Sequence, residues 1–178
     1  MLERDAALAL FVEHNPDPQQ MKHALASEAV LRALARHFGE NEDLWGLAGL
    51  LHDVDYAQTK DRPEDHGRLA VPILQGKLPA EAVAAIQAHN GECTGLAPAS
   101  RLDFALRAGE TITGLITAAA LMRPTGMEGM EVKSLKKKMK DKAFAANVSR
   151  DRIRECERID LPLDDFLGLA IKAMTPRA

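Results

Sequence analysis

The stretch Trp45-Gly-Leu-Ala-Gly-Leu-Leu-His-Asp-Val-Asp55 decides how this chain is interpreted. Its first seven residues are apolar or glycine, so a helix formed by them is apolar on every side, which is typical of a buried helix. His52 and Asp53 follow directly and are expected to share that burial. Because burying an unpartnered polar group costs roughly 2–7 kcal/mol, and a charge more, both side chains need partners. The dipeptide alone leaves two alternatives open, a metal ion or a network of protein hydrogen bonds.

Helix start and stop signals surround this stretch. Asp17-Pro18 with Gln20 predicts an N-cap and a first turn, and Gly39 predicts a C-terminal stop, so residues 18 to 38 are predicted to form one long helix. Asn41, followed by two acidic residues, predicts the next helix start. Further starts are predicted at Pro63, Pro79, Ser100, Ser149 and Asp164, and a kink or break is predicted at Pro72. No run alternates strictly between apolar and polar residues, so the fold is predicted to be all-α.

The size of the chain favours one domain. Its 178 residues suffice for one well-buried core, and an aromatic content of 4% favours helices over sheets. We predict a single domain over 1–178, with a core at roughly 17–124. A Gly- and Met-rich loop from about Thr125 to Glu131 precedes a C-terminal helical tail, at roughly 132–176, that packs on the core.

Charge and composition narrow the class of function. A net charge of -3 argues against general nucleic-acid binding, because it leaves no excess positive charge to neutralise many phosphates. No apolar run reaches the roughly 18 residues of a membrane span, and the first residues lack a secretory pattern. Cys93 and Cys156 are too far apart in sequence to indicate a disulfide framework or a thiolate metal site. We therefore expect a cytoplasmic protein that does not bind membranes.

Three further histidines are predicted to point inward. His23 shares a helix stripe with Val30 and Leu34, and His89 follows Ile86 by three residues in an apolar helix. His66 is predicted to begin a helix that carries several apolar residues. Four inward histidines with carboxylates suit a site for one or two divalent transition metal ions, such as Fe, Mn, Zn, Co or Ni. His14, His37 and Cys93 are interpreted as structural or incidental.

With these residues in place, the sequence resembles the HD superfamily of metal-dependent phosphohydrolases, named for an adjacent His and Asp that bind metal. The matching residues are His23, the block Gly49-Leu-Leu-His-Asp53 and a later acidic residue on a helix, here Glu110. The resemblance implies a compact HD-type helical bundle with a C-terminal helical extension. Members usually carry Asp where Glu110 stands. Asp103 is a rival for this position, although its place three residues after Ser100 favours a capping role.

His66 and His89 resemble the two extra histidines of the dinuclear branch of the superfamily. By that resemblance, His23, His52, Asp53 and Glu110 hold one ion, while Asp53 bridges to a second ion held by His66 and His89. The Gly-Tyr-Pro signature of cyclic-di-GMP phosphodiesterases is absent after His89, where the sequence is Asn-Gly-Glu-Cys-Thr-Gly. Cyclic-di-GMP is therefore not the expected substrate.

The resemblance implies an enzyme that cleaves a phosphomonoester or phosphodiester of a small nucleotide-like substrate by metal-activated water, with Asp53 at its centre. Asp55 either orients the water or orients a ligand imidazole. Of the six lysines between Lys133 and Lys142, we expect Lys133 and Lys137 to reach the substrate phosphate and the others to be solvated. The alternative is a regulatory module that keeps the fold and binds metal or nucleotide but has lost turnover through Glu110. The resemblance also implies possible self-association.

Overall fold

Within residues 1–175, which the computed structural model describes, the chain folds into helices joined by turns and loops, with no strand among them. The predicted all-α fold is confirmed. In chain order the helices are α1 (Arg4–His14), α2 (Pro18–Phe38), α3 (Glu42–Leu51), α4 (Tyr56–Thr59), α5 (Ala70–Leu74), α6 (Ala80–Ala88), α7 (Gly91–Thr94), α8 (Arg101–Leu121), α9 (Val132–Lys140), α10 (Arg150–Arg154), the 3-10 helix η1 (Glu155–Ile159) and α11 (Leu163–Met174).

The predicted caps fix the starts of the main helices. The Asp17 side chain accepts hydrogen bonds from the backbone of Gln19 and Gln20 at the start of α2, and Gly39 ends that helix with a φ of 71°. Asn41 caps α3 through the Leu44 backbone N–H. Ser100 and Asp103 form a reciprocal capping box at the start of α8. Local hydrogen-bond chemistry therefore sets where the helices of the core begin.

Two predicted helix starts and one predicted kink need correction. No helix begins at Pro63, because the chain runs through turns as far as Leu69 and α5 begins only at Ala70. Pro72 therefore lies in the first turn of α5 and causes no kink, since the N–H that proline lacks has no partner in a first turn. The last helix begins at Leu163, one residue before the predicted Asp164.

Helix α3 packs closely against α2, and α8 packs on the same helix. Gly49 makes the contact between α2 and α3 possible, because a Cβ at this position would lie 2.8 Å from the Ser27 carbonyl oxygen. Every residue from Leu44 to Leu51 is buried, as the apolar stretch predicts. His52 and Asp53 thus leave α3 inside the protein.

The helices of the C-terminal segment pack on the core helices α2 and α8. Helix α11 packs on α2 and α8 through buried Phe166, Leu167 and Ala170, and α10 with η1 packs on α8. Turns form residues 125–129 of the predicted loop from 125 to 131, and the predicted end of the tail at 176 lies outside the described residues. No helix in residues 1–175 is both long and apolar enough to cross a membrane.

Candidate metal centre

Five side chains from separate parts of the fold meet beyond the end of α3. His52 is the C-cap of α3 and His89 the C-cap of α6, while His23 stands in α2 and His66 in the turn before α5. One ligand atom each from His23, His52 and Asp53 lies within 4.8 Å of the other two, and the same holds for Asp53, His66 and His89. The two groups share Asp53.

The two oxygens of Asp53 face different pairs of histidines. Oδ2 lies 3.4 Å from His52 Nε2 and 3.8 Å from His23 Nε2. Oδ1 lies 3.1 Å from His66 Nε2 and 3.6 Å from His89 Nε2. This is the arrangement that a carboxylate needs in order to bridge two ions.

The opposite ring nitrogen of each histidine is already engaged. His52 Nδ1 donates to the Gly49 carbonyl at 2.8 Å, and His89 Nδ1 donates to the Ile86 carbonyl at 2.5 Å. In both cases a histidine at the end of a helix bonds back to the residue three positions earlier. A proton held on Nδ1 leaves the lone pair of a neutral imidazole on Nε2, which points toward Asp53.

His23 is oriented by a residue that the sequence analysis missed. Its Nδ1 lies 2.9 Å from Thr113 Oγ1, and that hydroxyl donates its own proton to the Glu110 carbonyl at 2.7 Å. The hydroxyl therefore accepts from His23. The sequence signal was slight, a threonine one turn after Glu110 on the same helix face.

Asp55 orients His66 and does not face the cleft beside the histidines. It is fully buried, and its Oδ1 lies 2.9 Å from His66 Nδ1. Its Oδ2 accepts from the backbone N–H groups of Gly67 and Ala70. Of the two roles considered for Asp55, the geometry favours that of orienting an imidazole.

Gly67 lets the chain turn beside His66. Its φ is 87°, and a Cβ there would lie 3.2 Å from the Ile86 carbonyl oxygen. Both the backbone conformation and the close approach to α6 favour glycine. The turn, and not the predicted helix, places His66 at the centre.

Glu110 borders the centre without joining either tight group. Its Oε2 lies 3.8 Å from His23 Nε2, and burial raises the pKa of its carboxyl group. Asp103, the rival carboxylate, is fully used at the start of α8, where it accepts from Ser100 Oγ and from the backbone N–H groups of Ala99 and Ser100. Its role is the cap, so Glu110 is the carboxylate of α8 that stands beside the histidines.

The donor set fits a divalent transition metal. The Nε2 atoms face each other at 3.1 Å between His23 and His52, and at 3.0 Å between His66 and His89. Two ligands that are each about 2.0–2.1 Å from one ion lie about 3 Å apart, so these spacings suit a shared ion. Imidazole and carboxylate ligands together suit Fe, Mn, Zn, Co or Ni.

A cleft of about 870 Å³ opens onto the centre. His23, Asp53 and Glu110 stand in its wall with Tyr56, and the other lining residues are Gln19, Gln20, Glu92, Thr111, Gly114, Asn147, Val148, Ser149 and Arg152. Lys133 and Lys137 line a different depression, beside Asp164. The structure does not bring these two lysines to the cleft, because α9 turns its buried Leu135 and Met139 inward and leaves both lysines exposed.

Comparison with known proteins agrees with this geometry. The HD domain is the family whose model matches the chain, over residues 21–141. The chain belongs to the HD superfamily of metal-dependent phosphohydrolases. Among curated proteins and among solved structures nothing matches it.

The HD match ends before Arg152 and begins after Asn15, and both residues lie at the centre or its cleft. Asn15 is buried and its amide donates to the Asp53 carbonyl at 3.0 Å. Sequence reasoning missed both, because no motif surrounds Asn15 and Arg152 stands in a short helix with no motif. Only their positions in the fold reveal them.

Burial and charge set the protonation of the HD centre. Burial lowers the pKa of His52 to about 3, so this imidazole is neutral at pH 7 and its Nε2 can coordinate. Burial also disfavours the charged form of Asp53, but the surrounding histidines outweigh it and hold the pKa of this carboxyl well below its usual range. A neutral imidazole and an ionised carboxylate are the forms that bind metal.

The raised pKa of His66 leads us to predict that metal uptake releases a proton. Burial alone would lower its pKa, but hydrogen bonds to Asp53 and Asp55 raise the pKa to about 10. Metal-free protein therefore holds a proton between His66 Nε2 and Asp53, and a metal must displace it. We expect about one proton from His66 to be released at pH 7.5, and metal affinity to rise with pH until about 10.

Calorimetry of metal binding in two non-coordinating buffers of different ionisation enthalpy measures this proton. His66→Ala should release about one proton fewer than the parent. The raised pKa of His66 also predicts how the stability of the metal-free protein depends on pH. Because the folded pKa lies above the unfolded value of about 6.5, the contribution of His66 is complete below that pH and is lost as pH rises toward 10. If the parent and His66→Ala release the same number of protons on binding metal, His66 does not carry the proton that the metal displaces.

The two groups of ligands also predict a change in stoichiometry. His66→Ala removes one ligand of the group around Asp53 Oδ1 and leaves His23 and His52 in place, so bound metal should fall from about two ions to about one per chain. Elemental analysis after desalting measures the ratio. His37→Ala is the matched control, because His37 is exposed and belongs to neither group. A parent protein that already binds one ion would favour a mononuclear centre.

Proposed function

We propose that this protein is a metal-dependent phosphohydrolase that cleaves a phosphomonoester or phosphodiester of a small nucleotide-like substrate. One observation carries the proposal. The two oxygens of Asp53 each face a pair of histidine Nε2 atoms, while Nδ1 of all four histidines is engaged elsewhere. A hydrogen-bonded core would not need four imidazoles aimed at one carboxylate.

The residues divide into two sets. His23, His52 and Asp53, with Glu110 beside them, would hold one ion, and Asp53, His66 and His89 would hold the other. Divalent ions held there would lower the pKa of a water molecule toward neutrality and offset the charge that builds on a phosphoryl group. The chain's own part is to fix the ligand geometry, which Thr113 does for His23 and Asp55 does for His66.

The cleft supports a small polar substrate. Its volume of about 870 Å³ falls within the range of roughly 300–1,000 Å³ that is usual for small-molecule sites. Amide and hydroxyl side chains at Gln19, Asn147 and Ser149 can bind a sugar or base, and the Tyr56 ring offers an aromatic surface. A nucleotide-like molecule uses both kinds of contact.

A second candidate function rests on Glu110. Its carboxylate stands outside both tight groups, and its raised pKa favours the neutral form, which is a poor ligand. A protein that binds metal weakly beside His23 could keep the fold and bind a metal or nucleotide as a regulatory module without turning it over. The two functions differ in turnover.

The deciding experiment is hydrolysis by the metal-loaded protein. Fe, Mn, Zn, Co and Ni are tested in turn against chromogenic phosphomonoesters and phosphodiesters and a panel of nucleotides. We expect phosphate release with at least one metal, and its loss in Asp53→Asn purified in parallel, which excludes a contaminating phosphatase. Metal-loaded protein that binds nucleotide but releases no phosphate from any of them would favour the regulatory module.

A further inference from the structure

Arg152 brings a positive charge into the cleft from outside the HD-domain match. It lies in α10, beyond residue 141 where that match ends, and lines the cleft together with His23 and Glu110. Among the described residues that line this cleft, Arg152 is the one arginine or lysine. The same wall carries the carboxylates of Asp53 and Glu92, which would repel an anionic substrate.

One edge of the Arg152 guanidinium is fixed by Glu92. Arg152 Nη2 donates to Glu92 Oε2 at 2.6 Å, and Nε lies 3.3 Å from Glu92 Oε1. Glu92 is itself held by Arg107, whose Nη1 and Nη2 donate to its two oxygens at 3.0 and 2.5 Å. Arg107 is buried, with 3% of its side chain exposed. The chain of contacts therefore runs from the core to Arg152 and sets the plane of its guanidinium.

The other edge of the guanidinium is open. Within residues 1–175, Nη1 of Arg152 has no hydrogen-bond partner, and it lies 3.8 Å from Glu110 Oε1, beyond hydrogen-bond distance. Glu110 Oε2 in turn lies 3.8 Å from His23 Nε2. A donor nitrogen with free N–H groups therefore stands beside the metal centre.

We propose that Arg152 is a substrate-binding residue whose Nη1 donates to a phosphate oxygen of the substrate. The proposal deepens the proposed function and rests on it, because it gives the phosphoryl group its protein partner. A guanidinium stays protonated and matches the geometry of phosphate oxygens, which a lysine does only as a point charge. Since Glu92 already holds the side chain in place, little side-chain entropy is lost when phosphate binds.

The competing explanation is an ion pair that only stabilises α10 against α7. Such a pair is partly solvated, since 25% of the Arg152 side chain and 53% of the Glu92 side chain are exposed. It would affect thermal stability and leave phosphate affinity unchanged. The experiment must therefore measure phosphate binding directly.

Inorganic phosphate is titrated calorimetrically into the metal-loaded full chain. Arg152→Met keeps the aliphatic stem and removes the guanidinium, and Arg154→Met is the control, because Arg154 is exposed in the same helix and lines a different pocket. We expect Arg152→Met to bind phosphate about tenfold to a hundredfold more weakly, the usual loss for a hydrogen bond to a charged group. Arg154→Met should bind it as the parent does, and Arg152→Lys should recover part of the loss.

Metal stoichiometry and folding are measured on the same samples. Unchanged metal content and circular dichroism in Arg152→Met, together with weaker phosphate binding, would support the proposal. With an active substrate, Arg152→Met should raise KM by a large factor and lower kcat by a smaller one. The reason is that Nη1 contacts the phosphate in the ground state as well as in the transition state.

Failure of this proposal differs from failure of the proposed function. Equal phosphate affinity in the parent and Arg152→Met, or no phosphate binding by the metal-loaded parent at millimolar concentration, would overturn the role of Arg152. Phosphate binding that depends on Arg152 but comes with no hydrolysis of any tested ester would support Arg152 as an anion ligand and count against the enzyme.

Discussion

Asp53→Ala is expected to empty both candidate metal sites and to reduce the proposed phosphohydrolase activity more than any other single change in the centre. The reason is geometric, because each of its oxygens faces a different pair of histidines and no second carboxylate belongs to either tight group. Loss of a residue that only supports a metal ligand typically costs about 10- to 100-fold in metal affinity or activity, and loss of a shared ligand should exceed that. Elemental analysis and the rate of phosphate release measure the two effects.

The matched control for this prediction is Asp65→Ala. Asp65 is a carboxylate of the turn that carries His66, but it pairs with Arg62 at 2.8 Å and takes no part in either group. It should keep the metal content and the activity of the parent. Two ions retained by Asp53→Ala would refute the bridging role.

The centre divides into residues that sequence reasoning could place and residues that it could not. His52 and Asp53 were predictable because seven apolar residues before them force burial, and a buried histidine needs a partner. His23 was predictable because helical periodicity fixes its face relative to Val30 and Leu34. These inferences need only one helix at a time.

His66 shows where such reasoning stops. The sequence predicts a helix that begins near Pro63 or His66, whereas a turn held by Asp55 places this histidine. That turn depends on hydrogen bonds between residues 11 to 15 positions apart, and periodicity carries no signal for them. His66 lies in the candidate centre, as expected, but the helix predicted to carry it is wrong.

The two carboxylates of α8 differ in the same way: local spacing places one of them, and only the packing of helices places the other. Asp103 could be assigned as a cap from its spacing to Ser100 alone, because capping is local chemistry. The place of Glu110 depends on how closely α8 approaches α2, at Gly109, where a Cβ would lie 2.6 Å from Leu31 Cδ2. The position of Arg152 depends on a contact with Glu92 across 60 residues of sequence. Neither the approach of α8 to α2 nor the contact between Arg152 and Glu92 can be inferred from the spacing of residues in the sequence.

Replacing Arg107 with methionine should produce the largest loss of stability. Arg107 is 3% exposed in the middle of α8 and donates to Glu155 and Glu92. Its Nη1 also donates to the carbonyl oxygens of Ala88 and His89 at the end of α6. Removing a buried charge partner typically costs about 3–5 kcal/mol, because the groups left behind lose their compensation.

We expect a decrease of about 3 kcal/mol in the free energy of unfolding, at the low end of that range, since Glu92 is half-exposed and water can solvate it. For a chain of this size the midpoint of thermal unfolding should fall by about 6–12 °C. Urea unfolding of the metal-free protein measures the change without a contribution from bound metal. Arg101→Met is the control on the same helix, because Arg101 is half-exposed, with an ion pair to exposed Glu40 and a guanidinium over the Phe38 ring, so its loss should cost about 1 kcal/mol.

The same substitution should reach the metal centre and the cleft, and this separates Arg107 from an ordinary core residue. Without Arg107, the carbonyl of His89 loses a donor and Glu92 loses the partner that fixes it against Arg152. Folded Arg107→Met, studied well below its unfolding midpoint, should therefore bind both metal and phosphate more weakly than the parent. A variant that is less stable but binds both as the parent does would show that Arg107 supports the fold alone, and that Arg152 keeps its orientation without it.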